Sequence, residues 1–257
     1  MTHAGQSIQE LHARYRVQAR WTATLRTRLL DLSRLSSTAR VLEVGSGTGV
    51  VASETAGTTR AAVVGLDIDP QALRFSRSLY PALIHVVGDG FKLPFADDVF
   101  ALAYCHFLLM WTHPAVEVLR EMRRVVRPGG HVATLAEPDY GGRIDFPAEL
   151  EALGNRQAER LGAQGADTQI GRRLRHLLVE AGLADVHGGV LGGEWGAAPE
   201  PAELASEWET LAQDLAGAVP GKMLARFREM DRRAWSERRR VLYVPTFYAV
   251  GEVPRPK

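Results

Sequence analysis

Val41-Leu42-Glu43-Val44-Gly45-Ser46-Gly47-Thr48-Gly49 is the stretch whose reading places the rest of the chain. A short apolar run ends in three glycines at alternate positions. The run predicts a buried parallel strand, and the glycines predict a tight turn into a helix beginning near Val50. Glycine suits a turn in which the backbone takes positive φ or passes close to a ligand. Strand, glycine turn and helix in that order make a nucleotide-binding βα unit. The spacing is G-x-G-x-G, not the G-x-G-x-x-G of dinucleotide folds, and no Lys follows to cradle a phosphate. Glu43 lies inside the strand, where a carboxylate is costly without partners. Beside such a turn it suits a cationic ligand better than a pyrophosphate.

The pattern repeats outward from this unit. Strands are predicted at 61–67, 83–88, 98–104 and 131–136, with helices between them. Asp69-Pro70 starts one helix, Asp as N-cap and Pro at the first helical position. His113-Pro114 opens another, which runs through Val126 and is stopped by Arg127-Pro128-Gly129-Gly130. This alternation predicts an α/β fold with a doubly wound, mostly parallel sheet. Helices follow near 147–161 and 169–181, and strands at 184–192 and 241–250. The segment between those last strands is too long for a hairpin turn. Leu204, Trp208, Leu211 and Leu215 have helical spacing, as do Met223, Phe227, Met230 and Ala234. The first of these helices is acidic and the second basic, which predicts a hairpin with facing ion pairs, capping the sheet. Before the first strand, residues 7–32 read as one helix. Trp21, Leu25, Leu29 and Leu32 form its apolar face, and Arg14, Arg16, Arg20, Arg26 and Arg28 its basic one. The division expected is an N-terminal helical lid (1–35), a core (36–194 and 240–257) and a helical cap insertion (195–239).

Composition narrows the partners. With 31 Lys and Arg against 30 Asp and Glu, the net charge is +1, so global electrostatics makes no case for nucleic acid. The single cysteine, Cys105, excludes an intrachain disulfide and a cysteine-rich zinc site, and no metal is expected. No apolar run reaches membrane-spanning length. The amino-terminal residues carry no signal-like apolar core, so a cytoplasmic protein is expected.

The glycine motif is one of four in order: VLEVGSGTG (41–49), GLDIDP (65–70), GDGFKLPF (88–95) and VVRPGGHVATLAEP (125–138). Together they resemble the class I S-adenosylmethionine-dependent methyltransferases, and among them the small-molecule subgroup that includes quinone-biosynthesis enzymes. The resemblance spans roughly residues 38–140. It implies a Rossmann-like seven-stranded sheet, mostly parallel with an antiparallel last strand, helices on both faces and a helical cap. It also implies S-adenosylmethionine as cofactor and a small-molecule methyl acceptor.

Residue by residue, Gly45, Ser46, Gly47 and Gly49 would line the amino-acid end of the cofactor, with Glu43 holding the turn and the ligand ammonium. Asp67, at the end of the second strand, would accept from the ribose hydroxyls, and Ile68 would pack on the adenine. Asp89, with Gly90 and Phe91, would meet the adenine ring. Cys105 belongs to this wall as a packed residue. His106, just past the fourth strand, is the candidate general base, needed only if the acceptor must lose a proton. Tyr15, Gln18 and Arg20 from the lid, and Tyr104, Trp111, Asp139 and Tyr140 from strand ends, are the candidate substrate contacts. The rival readings are a tRNA or nucleobase methyltransferase and a non-catalytic, regulatory cofactor-binding protein. A nicotinamide-dependent oxidoreductase is a third, disfavoured by Glu43 and the missing glycine.

Overall fold

The computed structural model describes residues 7–33, 35–192 and 199–256. Five strands and the helices between them build the first half: β1 (Arg40–Val44), β2 (Ala62–Asp67), β3 (Ile84–Val87), β4 (Phe100–Cys105) and β5 (Val126–Pro138). Helices α3 (Val50–Thr58), α4 (Pro70–Leu79) and α5 (Ala115–Val125) connect them. Two further strands, β7 (Ala184–Leu191) and β9 (Thr246–Glu252), complete a sheet of order β3-β2-β1-β4-β5-β9-β7. β1 to β5 pair in parallel, and β9 runs antiparallel to both β5 and β7. The seven-stranded, mostly parallel sheet with an antiparallel last strand is the one expected.

Alternation along the strands assigns the two faces. Val41, Val63, Leu102 and Ala133 pack under α3 and the two N-terminal helices, α1 (Ile8–Trp21) and α2 (Ala23–Ser33). Leu42, Val64, Ala103 and Val132 face α5 and α7 (Leu174–Glu180). β1 and β4 are buried on both faces, which is why they read as continuous apolar runs. Asp69 caps α4 by accepting the Gln71 N–H at 2.8 Å, with Pro70 at the first helical position.

The structure departs from the sequence-based reading in four places. The N-terminal helix is two helices, broken at Thr22. Thr22 Oγ1 donates to the Ala19 carbonyl at 3.2 Å and the Arg26 guanidinium takes the same carbonyl at 2.6 Å, drawing it from the helical ladder. Trp21 is therefore 51% exposed while Leu29 is buried, and the two do not share an apolar face. The helix expected from 147 begins at Glu151, as α6 (Glu151–Ala163), after a 3-10 turn at Ala148–Leu150. The strand expected at 241–250 is divided at Pro245, which has no N–H for a ladder. Its first part, β8 (Val241–Tyr243), pairs instead with β6 (Ile144–Phe146) in a separate two-stranded sheet.

The fourth departure is in the cap, formed by α8 (Pro201–Asp214) and α9 (Gly221–Ser236). Leu153, Trp208 and Leu215 form its apolar centre, and Trp208 Nε1–H donates to Asp231 at 2.9 Å. The ion pairs described on α9, Arg232 with Glu229 and Arg233 with Glu237, run along its own surface. Part of the expected cap boundary, residues 195–198, lies outside the described residues, as do residues 1–6 of the expected lid.

Candidate active site

The glycine turn lies at the carboxyl end of β1. Gly45 and Ser46 donate their N–H groups to the Leu66 carbonyl at 2.8 and 2.9 Å, tying the turn to β2. Gly47 donates to Asp67 Oδ2 at 2.7 Å, and Asp69 N–H donates to Asp67 Oδ1 at 2.9 Å. Each carboxylate oxygen of Asp67 has spare acceptor capacity for a ligand hydroxyl. Gly47 has φ +51°, and a Cβ there would lie 3.0 Å from the Tyr15 ring. Only glycine suits that position. Leu108 stands as close to Gly45: a Cβ on Gly45 would be 2.8 Å from its Cδ1. α1 is held to the turn by a second contact, His12 Nδ1 with Thr48 Oγ1 at 3.0 Å.

Glu43 is buried, and its Oε2 has no partner among the described residues. Burial pushes its carboxyl well above the usual carboxylate range, against the pull of the nearby Arg26. Ser46 Oγ is likewise buried and unpartnered. Past β2 and β3, Ile68 and Phe91 are 62% and 39% exposed, two apolar side chains left uncovered. Asp89 is exposed and accepts the Phe91 N–H at 2.9 Å, so the turn reading of this residue holds beside any adenine contact. Gly90 is half-buried beside it. Cys105 is wholly buried in the apolar cluster, where burial raises its thiol pKa.

A cavity of about 580 Å³ opens beside the turn. α1 contributes Arg14, Val17, Gln18 and Trp21, an i, i+3, i+4, i+7 face. Phe107 and Tyr140 come from the loops after β4 and β5. Trp208 and Leu211 of α8, Trp235 of α9, and Leu242 and Tyr243 of β8 close it on the cap side. Arg143, Arg240 and Asp231 belong to its polar wall. Here Arg143 and Arg240 share Asp145, and Arg240 also binds Asp231 at 2.6 Å.

Of the expected substrate contacts, Gln18 and Tyr140 lie on this wall. Tyr15 covers the glycine turn instead, because the residues at 11, 15 and 19 face inward while 14, 17, 18 and 21 face the cavity. Arg20 is exposed and has its own partner. Tyr104 is buried with its hydroxyl on Thr55 Oγ1 at 2.9 Å. Trp111, in a 3-10 turn at Leu109–Trp111, packs against the core. Asp139 is buried with its carboxylate paired to Arg172, which holds it away from the cavity.

His106 is also not on the cavity wall. Its Nε2 is 3.2 Å from Thr22 Oγ1 at the break between α1 and α2. Burial, with the Arg26 charge nearby, lowers its pKa to about 3, so its imidazole is neutral and a weak base. The position past β4 suggested a base over the acceptor. The helix break, invisible in the sequence, supplies Thr22 as its partner instead. Sequence reasoning missed Glu137, whose carboxylate accepts the N–H groups of Leu108, Leu109 and Met110 and so fixes the loop bearing Phe107 and Leu108. A carboxylate ending the apolar run VATLAE was the available signal. Among the described residues, no three His, Cys, Asp or Glu side chains converge as a metal site.

Residues 42–134 match the family model described as a methyltransferase domain. The malonyl-[acyl-carrier protein] O-methyltransferase of Erwinia pyrifoliae is 36% identical over 115 residues, 43% of this chain and 42% of the relative. The demethylmenaquinone methyltransferase of Chlorobaculum parvum is 33% identical over 99 residues, 38% of this chain and 41% of the relative. The chain thus spans about two fifths of the length of these relatives. Among solved structures, a geranyl diphosphate methyltransferase in complex with S-adenosylmethionine superposes with a TM-score of 0.56 at 16% identity, over 90% of this chain and 84% of the other. That similarity shows a shared fold. With the sheet order and the glycine turn, residues 42–134 thus carry a methyltransferase domain.

Proposed function

We propose that this chain transfers a methyl group from S-adenosylmethionine to a small molecule held in the cavity. One observation carries the reading: the glycine turn and the cavity are walled by neighbouring residues of the same two segments. Tyr15 lies on the turn and Arg14 on the cavity; Leu108 lies on the turn and Phe107 on the cavity. Two ligands placed there would lie next to each other, and an in-line transfer requires their reacting atoms to meet directly where these two segments leave an opening.

The turn suits that cofactor. Asp67, Asp69 and Asp89 end or follow β2 and β3, an acidic rim fitting a sulfonium and an ammonium and opposing a pyrophosphate. The unpartnered Glu43 Oε2 is an acceptor awaiting a donor, directly or through water. Asp67 has room for ribose hydroxyls, and the uncovered Ile68 and Phe91 offer apolar faces to a purine. When bound, the cofactor supplies an electrophilic methyl on a good leaving group. The chain's own residues then bind and align the acceptor and exclude water. With His106 turned to Thr22, the site favours an acceptor that is already nucleophilic, needing position more than a base.

The lid, core and cap divide this work: α1 touches both ligands, the sheet ends hold the cofactor, and α8 and α9 enclose the acceptor. Among the described residues no helix is long and apolar enough to cross a membrane. Calorimetry with S-adenosylhomocysteine tests the cofactor, with binding expected. Methyl-labelled cofactor with a panel of small acceptors and with tRNA, followed by product mass, tests the reaction. Binding without transfer to any acceptor would favour the regulatory reading, and label in tRNA alone would favour nucleobase modification.

A further inference from the structure

The charges around the cavity describe its occupant, on the reading that it holds the methyl acceptor. Arg143 and Arg240 are matched by Asp145 and Asp231, with side chains at most 9% exposed. The set is closed by hydrogen bonds: Trp208 donates to Asp231, and Arg143 donates to Gln157 at 2.7 Å. Gln157 in turn donates to the buried Asp214 at 2.8 Å, so both guanidiniums of this network are committed to carboxylates and leave no cation for a ligand. Arg14 differs. It lies half-buried on the cavity face of α1, and among the described residues no carboxylate stands within ion-pair distance of it. Burial and the Asp214 carboxylate raise the pKa of the Tyr140 phenol on the same wall, and the Arg14 charge opposes them. Glu207, the other acid of the lining, is exposed at the rim and has a partner. A guanidinium keeps its charge at any working pH and binds planar anions through two N–H groups.

The apolar part is as specific. Trp21 is 51% exposed and meets Phe107 edge to face, ring centroids 6.3 Å apart. Phe107 adjoins Leu108, which packs on Gly45, so this aromatic pair stands at the partition between the turn and the cavity. An uncovered indole there is a surface for stacking. We propose that the acceptor is an aromatic compound bearing an anionic group, its rings against Trp21 and Phe107 and its anion on Arg14. Arg14 is then a specificity-determining residue.

Two dyes separate the terms: 8-anilinonaphthalene-1-sulfonate, and N-phenyl-1-naphthylamine, the same ring system without the sulfonate. Each is titrated into the full chain by fluorescence, with and without saturating S-adenosylhomocysteine. The wild type should bind one anionic dye, with S-adenosylhomocysteine leaving it in place. Arg14→Gln should weaken the anionic dye at least tenfold and the neutral dye less than twofold, while Trp21→Ala weakens both. Should Arg14→Gln fail to fold, wild-type titrations from 50 to 500 mM salt carry the test, with loss expected for the anionic dye alone. The proposal is overturned if Arg14→Gln or salt affects both dyes equally or neither. It is also overturned if the wild type does not bind the anionic dye, or if S-adenosylhomocysteine displaces it. S-adenosylhomocysteine binding itself is measured by calorimetry, so a failed cofactor reading is distinguished from a failed acceptor reading.

Discussion

Glu137 fixes the loop between the two sites, and its charge can be tested. Its Oε1 accepts the N–H groups of Leu108 and Leu109 at 2.9 and 2.8 Å, and its Oε2 accepts that of Met110 at 3.1 Å. The residue is wholly buried, and burial pushes its pKa from 4.5 up to about 7 against the pull of those donors. At about 1.4 kcal/mol per unit, that rise corresponds to about 3 kcal/mol between the two protonation states. A carboxyl whose folded pKa exceeds its unfolded one holds its proton more tightly when folded. The stability it contributes is therefore full below about pH 4.5 and is lost as the pH rises through about 7. Glu137→Gln removes the titration. The amide oxygen can keep the Leu108 and Leu109 bonds, but the amide nitrogen faces the Met110 N–H and leaves it unmatched, a cost of about 1–3 kcal/mol. The variant should thus be less stable than the wild type at pH 5, and the gap should close or reverse by pH 8. Urea unfolding of both proteins from pH 5 to 8, followed by tryptophan fluorescence, measures this. Glu43 and His106 are present in both proteins and cancel in the difference. A gap that stays constant across the range would refute the reasoning, because the three donors would then hold Glu137 ionised throughout.

Asp67→Ala should weaken S-adenosylhomocysteine binding by about 1.5–3 kcal/mol, the range for hydrogen bonds to a charged group. Calorimetry giving unchanged affinity in a folded variant would remove Asp67 from the ribose. His106→Asn should lower kcat only modestly and without any pH dependence between pH 6 and 9, since the imidazole titrates near 3. A large loss recovered at high pH would restore His106 as a base. Arg240→Met should destabilise the protein by about 3–5 kcal/mol, because it takes the buried Asp231 from its ion partner and leaves Asp145 to Arg143 alone. A thermal midpoint within a degree of the wild type would show that the network adds nothing to folding.

Local chemistry made the sheet legible and long-range contact hid the rest. The run before Gly45, the Asp69-Pro70 cap and the helix following Pro114 each depend on neighbours in sequence, and each forms where the sequence indicates. The break at Thr22 does not, because a helix through Trp21 and Leu25 is locally sound. What ends it is Arg26 reaching back to the Ala19 carbonyl, an interaction set by the tertiary position of Arg26 beside Glu54. Pro245 was readable as a strand breaker and was passed over within an apolar run. The cap helices were legible by their spacing, but the buried bond from Trp208 to Asp231 that joins them was not. Trp21 shows the cost of the missed break most clearly. As part of one long helix it belonged to the core face, whereas its true neighbours are Arg14, Val17 and Gln18, at spacings the sequence already displayed.

The N-terminal helix links the two sites by its geometry. Leu11, Tyr15 and Ala19 recur every fourth residue and face inward, Tyr15 over Gly47; Arg14, Val17, Gln18 and Trp21 face the cavity. A helix is rigid over this length, so these two faces cannot move separately. Its amino end is capped reciprocally by Ser7 and Glu10, and its carboxyl end is held by Thr22 on His106 and by Arg26 on Glu54. Tilting the helix away from Gly47 would carry Arg14 and Trp21 off the cavity in the same motion. A ligand on the glycine turn that seats Tyr15 would therefore also shape the cavity wall, and by linkage an occupant of that wall would favour the seated turn to the same degree. His106 acquires its meaning in this setting. Buried, neutral and bonded to Thr22, it holds the carboxyl end of the helix that borders both the glycine turn and the cavity.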